Sequence, residues 1–393
     1  MIRVVNVITD SNIGGAGLAL INFMRNTDKR EFSHRVVLPR GSMLIPRLLE
    51  AGVEPYELEG IAERSFSPGA AGGFLRVFKE LKPDIVHTHA SLSARIAAKL
   101  YGKCASVHTR HCAFDIKRSR KVFPMRRLLG FANNHLSDAI IAISPAARDN
   151  LTDTGTSPGK IVTMFNGVEP VRTLTEAEKS AVRKKYGIRD GELVCSVVAR
   201  LEPYKGHEYV LEAAALLREL PIRFIIAGTG SYENALREKS RALGLESCIF
   251  TGFVPEIWEM ENITDVQINA SYVSETSSLS LLEGMSLGTP AVVSDLDGNP
   301  YLIIHGENGL VVPKKDAAAI AGAVKRLYSD PEERKRMSRR ALELYEERFT
   351  ASVPVKKVED IYRRLAPRRD AAIKCGGERN NERNGHNSEH AKG

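Results

Sequence analysis

Residues Asn269–Pro290 read NASYVSETSSLSLLEGMSLGTP. Two carboxylates stand in this stretch, Glu275 and Glu283, with seven residues between them. The apolar run before Glu275 ends in small polar residues, the pattern of a strand running out into a loop. Leu279, Leu282 and Met285 then recur at helical spacing. Glu275 is therefore expected on a loop and Glu283 in the opening turns of a helix. Thr276, Ser277 and Ser278, between them, are small, polar and able to expose backbone N–H groups. A helix start behind such a loop suits an anion, and a carboxylate on either side suits the hydroxyls of a sugar and of a ribose. Ser280-x-x-Glu283 reads equally well as a capping box, in which the Glu satisfies only its own helix end. The stretch leaves both readings open; the rest of the chain bears on the choice.

A chain of 393 residues exceeds one ordinary core, so two domains are expected. Hydrophobic content of 43% and charged content of 26% are those of a soluble globular protein. The five cysteines (104, 112, 195, 248 and 375) form no C-x-x-C pair. This argues against a disulfide framework or zinc cluster and for a reducing cytoplasm. Ile2–Ile8 reads directly as a buried strand rather than a secretory leader. No stretch reaches the roughly 18 apolar residues of a membrane span, so membrane contact would be peripheral, at the inner face.

Ile2–Thr9, a glycine loop containing Gly14, Gly15 and Gly17, and an apolar helix pattern from Leu18 open the chain as strand, loop and helix. The dinucleotide fingerprint G-x-G-x-x-G is missing, which argues against a dehydrogenase. Strand-like and helix-like runs then alternate, implying mainly parallel sheets with helices on both faces. His87, His89 and His111 fall at expected strand ends, where such folds bind ligands. A boundary is placed in the polar segment Glu169–Lys185, giving domains 1–170 and 171–350. A second series starts at Leu193. There Arg200 and Lys205 flank a loop with Gly206 just before a helix, a pairing suited to a diphosphate. Residues 366–393 are almost without apolar content and are expected to be disordered.

Much of the net charge of +8 is local. Between Lys103 and Leu129, eight basic residues are interleaved with Phe114, Ile116, Val122, Phe123, Met125, Leu128 and Leu129, opposed only by Asp115. Three readings stay open: contact with an anionic bilayer, binding of an acidic acceptor, or a solvated basic helix packed by its apolar side. No nucleic-acid motif accompanies the charge.

With these residues in place, the chain resembles the GT-B glycosyltransferases of family four, the large retaining group. Glu275 and Glu283 match the family's E-x7-E signature, and SLLEGMSLGTPAVVSD the helix and strand after it. Arg200, Lys205 and Gly206 match its G-R-L-x-x-x-K-G loop, with Ala199 where Gly is usual. Asn166-Gly167-Val168 matches the element that closes the first domain, and GENGLVVP (306–313) is a further landmark. The resemblance extends to about residue 365.

It implies a GT-B fold, α/β, with two Rossmann-like doubly wound domains facing across a cleft and a last helix, about 351–365, packed back on the first domain. It implies that Arg200 and Lys205 hold the donor diphosphate and that Glu283 binds the ribose hydroxyls. Glu275 would bind the transferred sugar, with Thr276–Ser278 near sugar and phosphate. Phe253 and Val254 would line the base, Gly14 and Gly15 would close over the diphosphate, and His111 would stand near the donor sugar. The donor would be a nucleotide-sugar, a UDP-sugar by family frequency and GDP-mannose as the rival. No metal or other cofactor is expected. The acceptor would be a cell-envelope glycan or lipid-linked hydroxyl.

Two departures stand out. Thr276-Ser277 replaces the usual Gly-Phe or Gly-Leu, and Asp297 stands where Gly is common, creating Asp295-x-Asp297. The latter looks like the metal-binding D-x-D of another transferase fold, and its position after the E-x7-E helix marks it as coincidental. The alternatives on the same fold are a sugar-nucleotide epimerase, a phosphorylase, and a catalytically silent sugar-binding module. The intact acids and cations argue against the last.

Overall fold

Ile2–Ile8 (β1) is β-branched and apolar, too short for a stable helix, and buried from Val4 onward. It is an interior strand, third in order, of a seven-stranded sheet in the computed structural model, which describes residues 1–113 and 122–366. The remaining strands of that sheet are Phe32–Pro39 (β2), Pro55–Leu58 (β3), Ile85–His89 (β4), Ala105–Arg110 (β5), Ala139–Ala142 (β6) and Ile161–Thr163 (β7). The second sheet has six strands: Leu193–Val198 (β8), Ile222–Ala227 (β9), Cys248–Gly252 (β10), Val266–Asn269 (β11), Ala291–Ser294 (β12) and Gly309–Val312 (β13).

All pairings within both sheets are parallel. The orders are β3-β2-β1-β4-β5-β6-β7 and β10-β9-β8-β11-β12-β13. In each, the chain reverses its direction of growth beside the first strand, between β1 and β4 and between β8 and β11. Such switch points open a crevice at the strands' carboxyl ends. The chain thus has two Rossmann-like α/β lobes in the GT-B arrangement.

The chain crosses between the lobes twice, side by side. Val168 pairs with Thr350 in a parallel bridge, and Tyr345 Oη donates to the Val168 carbonyl at 2.9 Å. A Cβ on Gly167 would lie 2.7 Å from the Thr350 carbonyl oxygen, so only glycine lets the two crossings touch there. After the second crossing, the helix Ser352–Leu365 returns to the first sheet. Its Val358, Ile361 and Tyr362 pack with Val4, Phe32 and Ile85. Burying Tyr362 fully is worth roughly 1.5–3 kcal/mol, and its hydroxyl reaches His87 Nδ1 at 2.6 Å. Glu359 is buried beside it and accepts from Thr27 Oγ1 at 3.0 Å and Asp28 N at 2.8 Å.

Part of the polar stretch Glu169–Lys185 is a helix, Glu176–Lys185, which buries only Val182. Its apolar stripe is too thin to show as periodicity. Thr175 and Glu178 nonetheless form a reciprocal capping box, a signal present in the sequence. Residues 114–121 of the basic segment, and the tail from 367, lie outside the described residues.

Candidate active site

The loop after β8 turns through a short 3-10 segment, Pro203–Lys205, and ends at Gly206, whose φ is +72°. A Cβ there would sit 2.1 Å from the Ala270 carbonyl oxygen. Glycine thus serves two needs at one position, a left-handed backbone and close approach to the loop after β11. The approach brings Lys205 Nζ to 2.6 Å from Glu275 Oε2, with 17% and 12% of the two side chains exposed. Glu275 also accepts from Asn269 Nδ2 at 3.2 Å and Ser271 Oγ at 3.0 Å. Burial alone would raise the Glu275 carboxyl, but Lys205 and these two donors outweigh it and hold the carboxyl below its ordinary range.

The Glu275 loop is fastened from behind. Its N–H donates to Asp297 Oδ2 at 3.1 Å, and its carbonyl accepts from Gly298 N at 2.7 Å. Asp297 has a φ of +46°, a conformation glycine adopts freely and Asp tolerates. Its carboxylate thus serves a backbone N–H. Among the described residues no group of three or more His, Cys, Asp or Glu could hold a metal ion.

Two hydroxyls of the same loop reach the other lobe. Thr276 Oγ1 donates to the His111 carbonyl at 2.8 Å, and Ser277 Oγ accepts from Asn166 N at 3.1 Å. Ser278 caps the helix Leu279–Ser286, accepting from Leu281 N. Ser280 therefore lies inside that helix and Glu283 beyond its first turn, so Glu283 does not cap its own helix end. It lies beside Glu261 instead, a buried carboxyl at the end of the helix Ile257–Glu261. Reading the sequence alone missed Glu261, since nothing in a short polar helix marks one Glu as buried.

Arg200 is exposed, and its Nη2 donates to Tyr204 Oη at 2.8 Å. Its charge also acts on Asp10 of the first lobe, whose carboxyl is raised by burial and by Glu63 and drawn back by Arg200. Gly14 and Gly15 open the helix Gly15–Asn26. A Cβ on either would meet nothing within 4 Å, so packing does not require glycine there and the space in front of the loop is open.

His111 follows β5. Its Nε2 lies 2.8 Å from His89 Nδ1, and its ring stacks on that of His89, which in turn stacks on His87. Burial holds His111 down to about 4 and His87 to about 3, so both are neutral at physiological pH. The three rings line a small crevice together with Phe165, Asn166 and Val355. Phe253 and Val254 follow β10, with Phe253 61% exposed. Among the described residues no hydrogen bond or ring contact ties these two to the rest. The structure thus joins Lys205 to Glu275 and Thr276 to His111 directly, and sets Arg200 across from the first lobe.

Two family patterns match the chain. Glycosyltransferase Family 4 covers residues 13–172, and Glycosyl transferases group 1 covers 178–344. EpsD of Bacillus subtilis is 28% identical over 313 residues, 73% of this chain and 80% of EpsD. The UDP-Gal:alpha-D-GlcNAc-diphosphoundecaprenol alpha-1,3-galactosyltransferase of Escherichia coli is 28% identical over 267 residues, 65% of this chain and 69% of the relative. Among solved structures, Anabaena Alr3699/HepE in complex with UDP superposes with a TM-score of 0.80 at 18% identity, over 92% of this chain and 99% of that one. The chain is therefore a glycosyltransferase, a family 4 domain followed by a group 1 domain on the GT-B fold.

Proposed function

We propose that the protein transfers a sugar, with retention of anomeric configuration and without a metal, from a UDP-sugar to a hydroxyl of a lipid-linked or cell-envelope glycan on the cytoplasmic side of a membrane. The observation that carries this reading is the buried Lys205–Glu275 pair at the switch point of the second sheet, fastened to the first lobe through Thr276 and His111. Breaking a sugar–phosphate bond builds positive charge on the sugar and negative charge on the departing diphosphate. Lys205 spends one ammonium proton on Glu275 and has two left for phosphate oxygens; Arg200 adds a second cation from the same loop. Charge fixed where charge develops favours the transition state over the ground state.

Glu275, ionised and held by Lys205, Asn269 and Ser271, accepts from hydroxyls of the sugar. Glu283 accepts from the ribose. Neutral His111 offers a hydrogen bond rather than a charge at the sugar. Phe253 and Val254 line the base, and Gly14 and Gly15 approach the diphosphate as the lobes close, excluding water that would hydrolyse the donor. The names of the Escherichia coli relative and the Anabaena complex support UDP as the nucleotide, and the former a lipid-linked acceptor.

Val122, Phe123, Met125, Leu128 and Phe131 support contact with an anionic membrane. They are exposed beside Arg126 and Arg127 at the start of the helix Met125–Leu136, rather than packed inward. Among the described residues no helix is long and apolar enough to cross a membrane.

Calorimetric titration with UDP and GDP tests the reading, followed by a mass-spectrometric screen of sugar donors with and without EDTA. Failure to bind either nucleotide refutes it. Tighter binding of GDP turns the reading to a GDP-mannose-dependent enzyme, and an epimerised UDP-sugar formed without acceptor turns it to an epimerase.

A further inference from the structure

Glu261 is 2% exposed, and neither of its carboxyl oxygens has a hydrogen-bond donor within reach. It interacts with the carboxyl of Glu283 on the helix Leu279–Ser286. Two acceptors in contact with no donor between them are not a stable arrangement in a buried place, because both cannot be anions. One proton on the pair removes the repulsion and supplies the missing donor. The site decides where that proton sits. Burial raises the Glu283 carboxyl too, but its hydrogen bond with Glu261 and, after that, the Arg47 guanidinium from the first lobe draw it back toward the anion. Glu261 is deeper, and burial followed by the Glu283 charge pushes it well above the ordinary carboxylate range.

Charged groups on the Glu261 helix and on the elements beside it are engaged elsewhere. Glu259, on the same helix as Glu261, pairs with Lys185 at 2.9 Å. On the helix Glu176–Lys185, which packs against it, Lys179 pairs with Glu176, and Arg183 bonds the carbonyls of Arg189 and Glu192. Asp265 accepts from Val194 N.

We propose that Glu261 is a positioning residue for the nucleotide ribose: the hydroxyl of its carboxylic acid donates to one face of Glu283 and turns the remaining lone pairs toward the two vicinal ribose hydroxyls. The proposal rests on the reading of Glu283 as the ribose acceptor. No bond is made or broken; the device fixes the orientation of an acceptor that a half-buried Glu would otherwise hold loosely. It also makes nucleotide recognition depend on a proton kept inside the donor lobe.

The experiment compares UDP with 2′,3′-dideoxy-UDP by calorimetry, on the full chain and on Glu261→Gln and Glu261→Met, with thermal unfolding run alongside. The guanosine pair replaces them if GDP is the nucleotide bound. Gln keeps a donor for Glu283 and cannot ionise; Met keeps the volume and has no donor. The wild type should prefer UDP, Glu261→Gln should keep that preference within about threefold, and Glu261→Met should weaken UDP by about tenfold while leaving the dideoxy compound almost unchanged. Equal weakening of both compounds in Glu261→Met, or a loss in Glu261→Gln as large as in Glu261→Met, overturns the proposal. If Glu261→Met does not fold, Glu261→Gln decides: loss of the preference there overturns it, and retention carries it. A wild type that binds both compounds equally overturns the reading of Glu283 itself, an outcome seen before any variant is made.

Discussion

Replacing Lys205 by Met removes one partner of a buried ion pair and leaves the other in place. A buried charge stripped of its partner costs roughly 3–5 kcal/mol. Glu275 keeps its bonds from Asn269 and Ser271, so the expected loss is smaller, about 2–3 kcal/mol. Each kcal/mol moves the melting of a domain this size by about 2–4 °C, so the second-lobe transition should fall by about 4–12 °C at neutral pH.

The pH dependence has a definite sign. In the wild type the Glu275 carboxyl is held below its ordinary range, so its contribution is present at neutral pH and is lost only as pH falls below that range. In Lys205→Met burial prevails and the carboxyl rises above its ordinary range. The penalty is then greatest at neutral pH and shrinks as acid supplies the proton, so the gap between variant and wild type narrows toward about pH 5. Differential scanning calorimetry across that interval is the assay. The double variant Lys205→Met/Glu275→Gln, which has no buried charge, should recover most of the melting temperature and none of the transferase activity. An unchanged melting temperature in Lys205→Met, or an active double variant, refutes the reasoning.

Three further outcomes are expected. Arg200→Ala, at an exposed site, should leave melting within about 1 °C and lower kcat by roughly 10²–10³, measured by product formation. Thr276→Val with Ser277→Ala deletes two hydrogen bonds between lobes, worth about 0.5–1.5 kcal/mol each. It should enlarge the radius of gyration of the unliganded protein in X-ray scattering, and an unchanged radius counts against a fastening role. Leu128→Asp with Phe131→Asp should abolish flotation with anionic liposomes and leave turnover of a soluble acceptor intact; salt-insensitive absence of flotation in the wild type removes the membrane from the proposal.

The parallel-sheet architecture was legible because its strands are short apolar runs between glycine and proline punctuation, and β1 falls on the opening run Ile2–Thr9 that the pattern marks. Glu275 was legible as a loop acid, but its ion pair with Lys205 was not, since the two are 70 residues apart in the chain. What escaped depends on three-dimensional neighbours. The charged helix Glu176–Lys185 buries too little to announce itself, β3 is a short edge strand, and Glu261 gains its character only from Glu283 across a helix boundary. Thr276 and Ser277 registered as a departure whose cross-lobe bonds no linear pattern encodes.

The return of Ser352–Leu365 to the first sheet reverses the order in which the protein can be completed. During synthesis the first-lobe strands emerge early, yet Phe32, Ile85 and the ring of His87 lack part of their cover until Tyr362 arrives. The lobe made first is therefore finished last, and the second lobe, whose chain from Leu174 to Phe349 is continuous, can settle while its neighbour waits. A ribosome stalled before residue 352 would hold one settled body and one with an open apolar flank, the condition in which chaperones are recruited.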